Sequence, residues 1–245
     1  MNTVFDASAD WYSHYYLNRD SGKSARRIIK LLDPSGSNEI IDLGCGTGEI
    51  TNAISDLGFQ LKGIDPSARM IEVATKNFRN SRISWEVGDL STIPDDSILY
   101  GYAYFHVANY ILAEMNLFDF LSALKDKTKV GGKFVFDFWK GESISSGGLE
   151  SRIVTFDIDG IAHTRSVVPI LNGSGNVTID IKVSPVVPNS SSVLTHEKHK
   201  LGTFLLDELK KSCELLNLRY SIQNWETNGL GLDAWDAVCI IERNS

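Results

Sequence analysis

A chain of 245 residues is long enough for one large α/β domain with an insertion, or for two small ones. Its 42% apolar and 22% charged content is that of a folded globular protein, and no apolar run approaches the ~18 residues of a membrane span, so no membrane partner is expected. A net charge of −7, from 31 acids against 24 bases, argues against a nucleic-acid partner, which would need a concentrated basic face.

The opening segment, MNTVFDASADWYSHYY, has neither a basic start nor an apolar core of the kind that marks a secretory leader. Cys45, Cys213 and Cys239 are too few and too scattered for a disulfide framework or a zinc site, so no metal is expected and a reducing cytoplasm fits. Phe5, Trp11, Tyr12, Tyr15 and Tyr16 crowd this segment. They read either as a helix packed on the domain or as a lid over a ligand, since tyrosine offers an apolar ring and a polar tip. Tyr12 and Tyr16 fall on one helical face. The basic cluster from Lys23 to Lys30 sits on one short helix, Ser24 to Leu32, and reads as a solvated face; Asp33-Pro34 stops that helix.

Glu39 to Gly48 then reads as strand, tight turn and helix start: an apolar run, Ile40 to Leu43 with Asp42 inside it, breaks into glycines at 44, 46 and 48. Glycine lacks a Cβ and accepts positive φ, so such a turn lets backbone approach a ligand closely. Ile50, Ala53, Ile54 and Leu57 follow at helical spacing, and the free N–H groups of that helix face whatever sits at the turn. The dinucleotide fingerprint G-x-G-x-x-G would need glycine at Glu49, so the NAD reading loses. A second strand, Gln60 to Ile64, ends in Asp65-Pro66-Ser67, and an acid at this tip is where a ribose meets its hydroxyl acceptor. Asp65 also reads as a helix cap with Pro66 at the first helical position. A third strand, Ile83 to Gly88, is followed by Asp89-Leu90.

The turn Asp42-Leu43-Gly44-Cys45-Gly46-Thr47-Gly48 resembles the first motif of the class I S-adenosylmethionine-dependent methyltransferases, which reads very nearly DLGCGTG. Asp65 to Ala74 is similar to their second motif, D-x-S-x-x-M-[IL]-x-x-A, and Gly88-Asp89 to the acid that follows their third strand. The resemblance implies a Rossmann-like α/β fold with a seven-stranded sheet, and S-adenosyl-L-methionine as cofactor. It places Met70 against the adenine, the Asp89 carboxylate near the adenine amino group, and the Leu90 amide at a ring nitrogen. It makes Tyr12 and Tyr16 a Y-x-x-x-Y cap on the site. The cofactor set it implies is Tyr12, Asp42, Gly44, Cys45, Gly46, Asp65, Pro66, Met70, Asp89, Leu90 and Phe105.

The fourth strand, Ser97 to Phe105, is dense in aromatics, and His106 to Tyr110 follows. Ligands in open α/β sheets bind beyond the carboxyl ends of the strands, which puts Phe105, His106, Asn109 and Tyr110 beside the methyl-donating sulfur. Leu112 to Lys125 reads as an amphipathic helix, Val130 to Lys133 as a turn, and Phe134 to Phe138 as the fifth strand, with Asp137 and Trp139 at its rim. After Gly141 the pattern changes to alternating runs at 152–158, 161–170, 177–184 and 193–201, with Asp159-Gly160 as a hairpin signal. Asn172 to Asn176 and Pro185 to Ser192 mark the other turns. This is an antiparallel four-stranded insert. Phe204 to Leu216 returns to helix, and Tyr220 to Trp225 with Asp233 to Glu242 are closing strands. The expected units are a cofactor-binding core at 1–140, the insert at 141–203 and a closing segment at 204–245. The exposed strand edges of the insert offer a pairing surface for a homodimer.

By layout, and by His196-x-x-His199 and GLDAWDAVCIIE, the insert resembles that of the N-methyltransferases acting on nucleotide-linked amino sugars. That implies a small-molecule acceptor whose amine is methylated. His106 is the first candidate base, with Tyr16, Asn109, Tyr110, Asp137 and Trp139 positioning the acceptor. His196 and His199 are expected on the outward face of their strand and are a second choice. A different acceptor (another small molecule, a lipid or quinone, or a protein) and a non-catalytic binding protein stay open as alternatives.

Overall fold

The computed structural model describes residues 5–16, 20–36, 38–145, 149–172, 176–186, 193–225 and 236–245, without the side chains of Ser13, Tyr16 and Ser145. Helix α1 (Ala9–Tyr16) leads into α2 (Ser21–Leu32), which starts on the Asp20 side chain as N-cap and stops at Asp33, whose left-handed backbone lets its N–H reach the Ile29 carbonyl. The core then alternates: β1 (Glu39–Leu43), α3 (Glu49–Ser55), β2 (Gln60–Asp65), α4 (Ala68–Asn77), β3 (Ile83–Val87) and β4 (Ile98–Ala103). Two short helices, α5 (Val107–Ile111) and α6 (Leu117–Lys127), precede the long β5 (Thr128–Trp139). After α7 (Gly141–Ser145) come β6 (Arg152–Ile158), β7 (Ile161–Leu171), β8 (Val177–Pro185) and β9 (Thr195–Leu201). Helix α8 (Leu206–Leu215), β10 (Leu218–Gln223) and β11 (Asp236–Arg243) close the chain.

Seven strands form one sheet in the order β10-β11-β5-β4-β1-β2-β3, with β1 to β5 parallel and β11 antiparallel to both its neighbours. One face buries Ala25, Ile28 and Leu32 of α2 and Ile54 of α3 against Ile40, Leu61 and Tyr102. The other buries Phe120, Leu121 and Leu124 of α6 and Leu209 and Cys213 of α8 against Phe134, Phe136 and Cys239. Both faces of the parallel strands are covered, which is why they read as continuous apolar runs. The second sheet, β6-β7-β8-β9, is antiparallel throughout and follows β5. Its entry and exit lie side by side: Lys140 bridges Phe204, and the Gly141 N–H donates to the Phe204 carbonyl.

Three expectations change in detail. The helix expected from Leu112 to Lys125 begins only at Leu117, because Asn116 caps α6 by accepting from the Asp119 N–H. The expected turn at Val130 to Lys133 lies within β5: Gly131 takes φ +75°, and the register against β4 shifts between Ile98 and Tyr100, so the glycines make a bulge. The fourth strand ends at Ala103, since Phe105 and His106 turn left-handed. Parts of the expected turns (173–175, 187–192), of the serine-rich loop (146–148) and of the start of the last strand (233–235) lie outside the described residues.

Candidate active site

Strand order reverses at β1, between β2 on one side and β4 on the other, and a cleft of about 1490 Å³ opens beyond the carboxyl ends there. The glycine turn forms its floor. Gly44, Gly46 and Gly48 have φ of +76°, +55° and +88°, and the Gly44 and Cys45 N–H groups both donate to the Ile64 carbonyl. A Cβ on Gly44 would lie 2.5 Å from a Val107 methyl, and one on Gly48 would lie 2.5 Å from the Trp85 ring. A Cβ on Gly46 would meet nothing within 4 Å and would project into open space. The turn is thus a cradle whose shape a side chain would spoil.

Two buried carboxylates stand under it. Asp42 accepts from the Thr51 hydroxyl and from the Tyr102 hydroxyl, both at 2.6 Å. Burial pushes its carboxyl up to about 7, and these two hydrogen bonds offset that only in part. Asp65 accepts the Gly46 N–H on Oδ2 and the Ser67 N–H on Oδ1, each at 2.9 Å, while burial raises its carboxyl to about 6. The helix cap is Ser67, so Asp65 keeps its place on the cleft. Asp89 is exposed at the rim and accepts from the Ser91 N–H and hydroxyl, beside buried Leu90.

Tyr12, Cys45, Gly46, Pro66, Asp89, Leu90 and Phe105 line the cleft together with Asp42, Gly44 and Asp65, and His106, Tyr110 and Trp139 line it too. Three expected site residues stand apart from the lining. Met70 is a core residue at 2% exposure. Asn109 is fully buried and commits its amide to the backbone, donating to the Gly202 carbonyl at 2.7 Å and accepting from the Trp139 N–H at 3.1 Å. It is a brace between the helix after β4 and the roots of the insert. Asp137, 4% exposed, accepts the His106 N–H at 2.9 Å, and its other oxygen lies 3.2 Å from His106 Nδ1. Asp137 therefore positions His106. The backbone of Tyr16 ends α1, and its side chain lies outside the described residues.

Phe105 and His106 hold φ of +71° and +65° in succession, a conformation that non-glycine residues adopt at a cost of about 1–3 kcal/mol each. The strain turns both rings to the cleft, where His106 stacks on Phe105 at 5.4 Å and lies 5.2 Å from Trp139. Helix α1 packs across the insert: Trp11 and Tyr15 meet Phe156 at 5.9 and 5.2 Å, and the Arg165 guanidinium lies 4.7 Å over the Tyr15 ring. The expected orientation of β9 is reversed for one histidine. Thr195, Glu197, His199 and Leu201 face inward, while His196 faces out and meets Asp180. His199, 2% exposed, bonds Glu197 at 3.0 Å and the Tyr110 hydroxyl at 2.9 Å. Glu197 escaped the sequence reading because the polar run THEKHKL alternates only by burial, with no apolar marker for the inner face until Leu201.

The residues present fit S-adenosylmethionine: a side-chain-free turn, a carboxylate at the tip of β2 for paired hydroxyls, and aromatic rings that tolerate a sulfonium. The comparisons agree with that fit. Residues 40–132 match the methyltransferase domain family. A demethylmenaquinone methyltransferase from Tropheryma whipplei is 36% identical over 92 residues, 34% of this chain and 37% of that protein, so the chain matches well under two thirds of that relative's length. Among solved structures, the CcbJ methyltransferase from Streptomyces caelestis superposes with a TM-score of 0.79 at 16% identity, covering 100% of this chain and 99% of that one. CalS10, an amino pentose methyltransferase from Micromonospora echinaspora solved with S-adenosylmethionine bound, does so with a TM-score of 0.67 at 14% identity, covering 95% and 96%. At those identities the likeness is one of fold. Residues 40–132 thus match a methyltransferase domain, and the site they help to build fits S-adenosylmethionine as cofactor.

Proposed function

We propose that this chain transfers a methyl group from S-adenosylmethionine to the amine of a small polar acceptor, and that the acceptor is a nucleotide-linked amino sugar. The observation that carries this reading is the shared cavity: the glycine turn and Asp65 on one side, and Val167, Ile179, Ile181, Glu197 and His199 of the insert on the other, line one cleft. A cavity of about 1490 Å³ exceeds the upper end of the roughly 300–1,000 Å³ of ordinary ligand pockets, in keeping with a cofactor and a second molecule together. The insert follows β5, the layout that the amino pentose methyltransferase shares over 95% of this chain.

Bound in this cleft, S-adenosylmethionine supplies an electrophilic methyl group on a positive sulfonium. The chain's own residues do the rest. Gly44 and Gly46 admit the cofactor backbone-close, and Asp65 accepts from hydroxyls. Phe105, Tyr110 and Trp139 hold the acceptor against the donor, which supplies much of the rate when the two reacting atoms are kept in line. An amine attacks only when neutral. His106, whose Nδ1 lies 3.2 Å from the Asp137 carboxylate, receives the amine's proton.

Thermal shift with S-adenosylmethionine and with S-adenosylhomocysteine tests the first half. Ligand at ~100 times its Kd adds roughly 2.7 kcal/mol of stability, and Asp65→Ala is expected to remove most of that gain. Mass spectrometry of nucleotide-linked amino sugars after incubation with enzyme and S-adenosylmethionine tests the second. A cofactor-binding protein that methylates none of them refutes the acceptor and leaves the domain's cofactor assignment standing.

A further inference from the structure

The cleft wall supplied by the insert includes a strip of aliphatic side chains from β7 and β8. Along the inner face, Val167, Ile181 and Glu197 are register neighbours, as are Pro169, Ile179 and His199. A carboxylate is thus set in a row of aliphatic side chains, 9% exposed. Its Oε2 meets His199 Nε2 at 3.0 Å, the other ring nitrogen of His199 meets the Tyr110 hydroxyl at 2.9 Å, and the Phe5 ring closes over His199 at 4.8 Å. Glu197 Oε1 is buried and has no hydrogen-bond partner among the described residues. Among the described residues, no lysine or arginine forms an ion pair with Glu197.

A buried carboxylate oxygen without a donor is costly, and such an atom calls for a water, an ion or a ligand to supply one. Glu197 lines the cleft, as do His199 and Tyr110. Tyr110 lies one helical turn beyond His106, so the hydrogen-bonded chain leads from the insert wall toward the proposed base. Resting on the acceptor cavity proposed above, we infer that Glu197, oriented by His199 and Tyr110, is the subsite that receives the acceptor's amine: a carboxylate recognising a cationic or donor-rich nitrogen. The pairing with His199 fixes Oε2 and leaves Oε1 without a donor among the described residues. A hydroxyl in place of the amine is bound less well there, because a charge-assisted bond is stronger than a neutral one.

The test uses protein saturated with S-adenosylhomocysteine and labelled with 15N-histidine, the His199 signals being assigned by their absence in His199→Asn. Glucosamine and glucose are titrated separately at millimolar concentration. Glucosamine is expected to move the His199 Nε2 resonance and glucose to leave it in place. Glu197→Gln, which can still accept from His199, is expected to weaken the glucosamine response about tenfold or more while the S-adenosylhomocysteine-induced rise in Tm is kept. Equal responses to the two sugars, no response to either, or a glucosamine response that persists in Glu197→Gln overturns the subsite. Should Glu197→Gln fail to fold, the wild-type comparison decides together with Glu197→Asp, which keeps the charge and is expected to keep the preference for the amine. Failure of the acceptor reading looks different: glucosamine perturbs His199, yet no nucleotide-linked amino sugar is methylated.

Discussion

Asp42 and Asp65 carry their negative charge in a place that resists it. Burial raises the first to about 7 and the second to about 6, from an ordinary 3.8. The folded chain therefore holds protons that the unfolded chain has already released. The resulting stabilisation is fully present below about pH 4 and is lost as pH rises through 6 to 7. Urea unfolding of the ligand-free protein is expected to show lower stability at pH 8 than at pH 5, with the decline flattened in Asp42→Asn. Ligand affinity runs the other way. Ionised Asp65 is the form that accepts from hydroxyls, so S-adenosylhomocysteine affinity is expected to fall as pH drops below about 6, measurable by calorimetry. His106 depends on a different acid. Asp137→Ala removes both contacts that hold the left-handed turn, and turnover is expected to drop by about a hundredfold or more while S-adenosylhomocysteine still binds.

Among the elements, the helix after β4 has the most to hold together. Asn109 reaches from it to Trp139 at the end of β5 and to Gly202 just beyond β9, and the Gly202 N–H returns a bond to the Asn109 carbonyl. No Cβ fits at Gly202, since it would lie 2.1 Å from the Leu112 carbonyl oxygen. Asn109→Ala leaves buried backbone groups without partners and is expected to lower stability by about 1–3 kcal/mol in urea, with amides of the insert exchanging sooner than those of β1. None of this was legible in the sequence, where Asn109 reads as a residue that positions the acceptor rather than as a brace between backbones. What was legible has a local cause. The glycines, Asp65 and Asp89 are consecutive in chain and in space at each strand tip, so short motifs specify them. Asp159-Gly160 sets its hairpin for the same reason, with φ of +51° and +82°. Asn109 and Asp137 act across 30 to 93 positions of chain, and Glu197 reaches Tyr110 only through His199, 89 positions away, so no spacing rule reaches that far. Their meaning comes from tertiary placement. Met70 shows the converse: a motif position whose side chain goes into the core.

At the scale of the molecule, two sheets share one cavity. One wall comes from the seven-stranded sheet, in which β1 to β5 run parallel and β11 antiparallel, and the other from the four-stranded antiparallel sheet. Among the described residues no helix is long and apolar enough to cross a membrane. The insert departs at Lys140 and returns at Phe204, and these two residues are bridged partners. A segment whose ends already touch adds little closure entropy to the fold that hosts it, because that cost grows only slowly with the length of chain between them. The insert is therefore an exchangeable cassette. Replacing 141–203 by the corresponding stretch of a sugar N-methyltransferase, with Gly202 and its Asn109 contact retained, is expected under the proposed function to change which acceptor is methylated and to leave S-adenosylhomocysteine affinity nearly as it was. Loss of cofactor binding in such a chimera would show that the two walls are not separable. The neighbouring positions of Lys140 and Phe204 thus give this fold a seam, along which a new specificity can be sewn in without recutting the catalytic cloth.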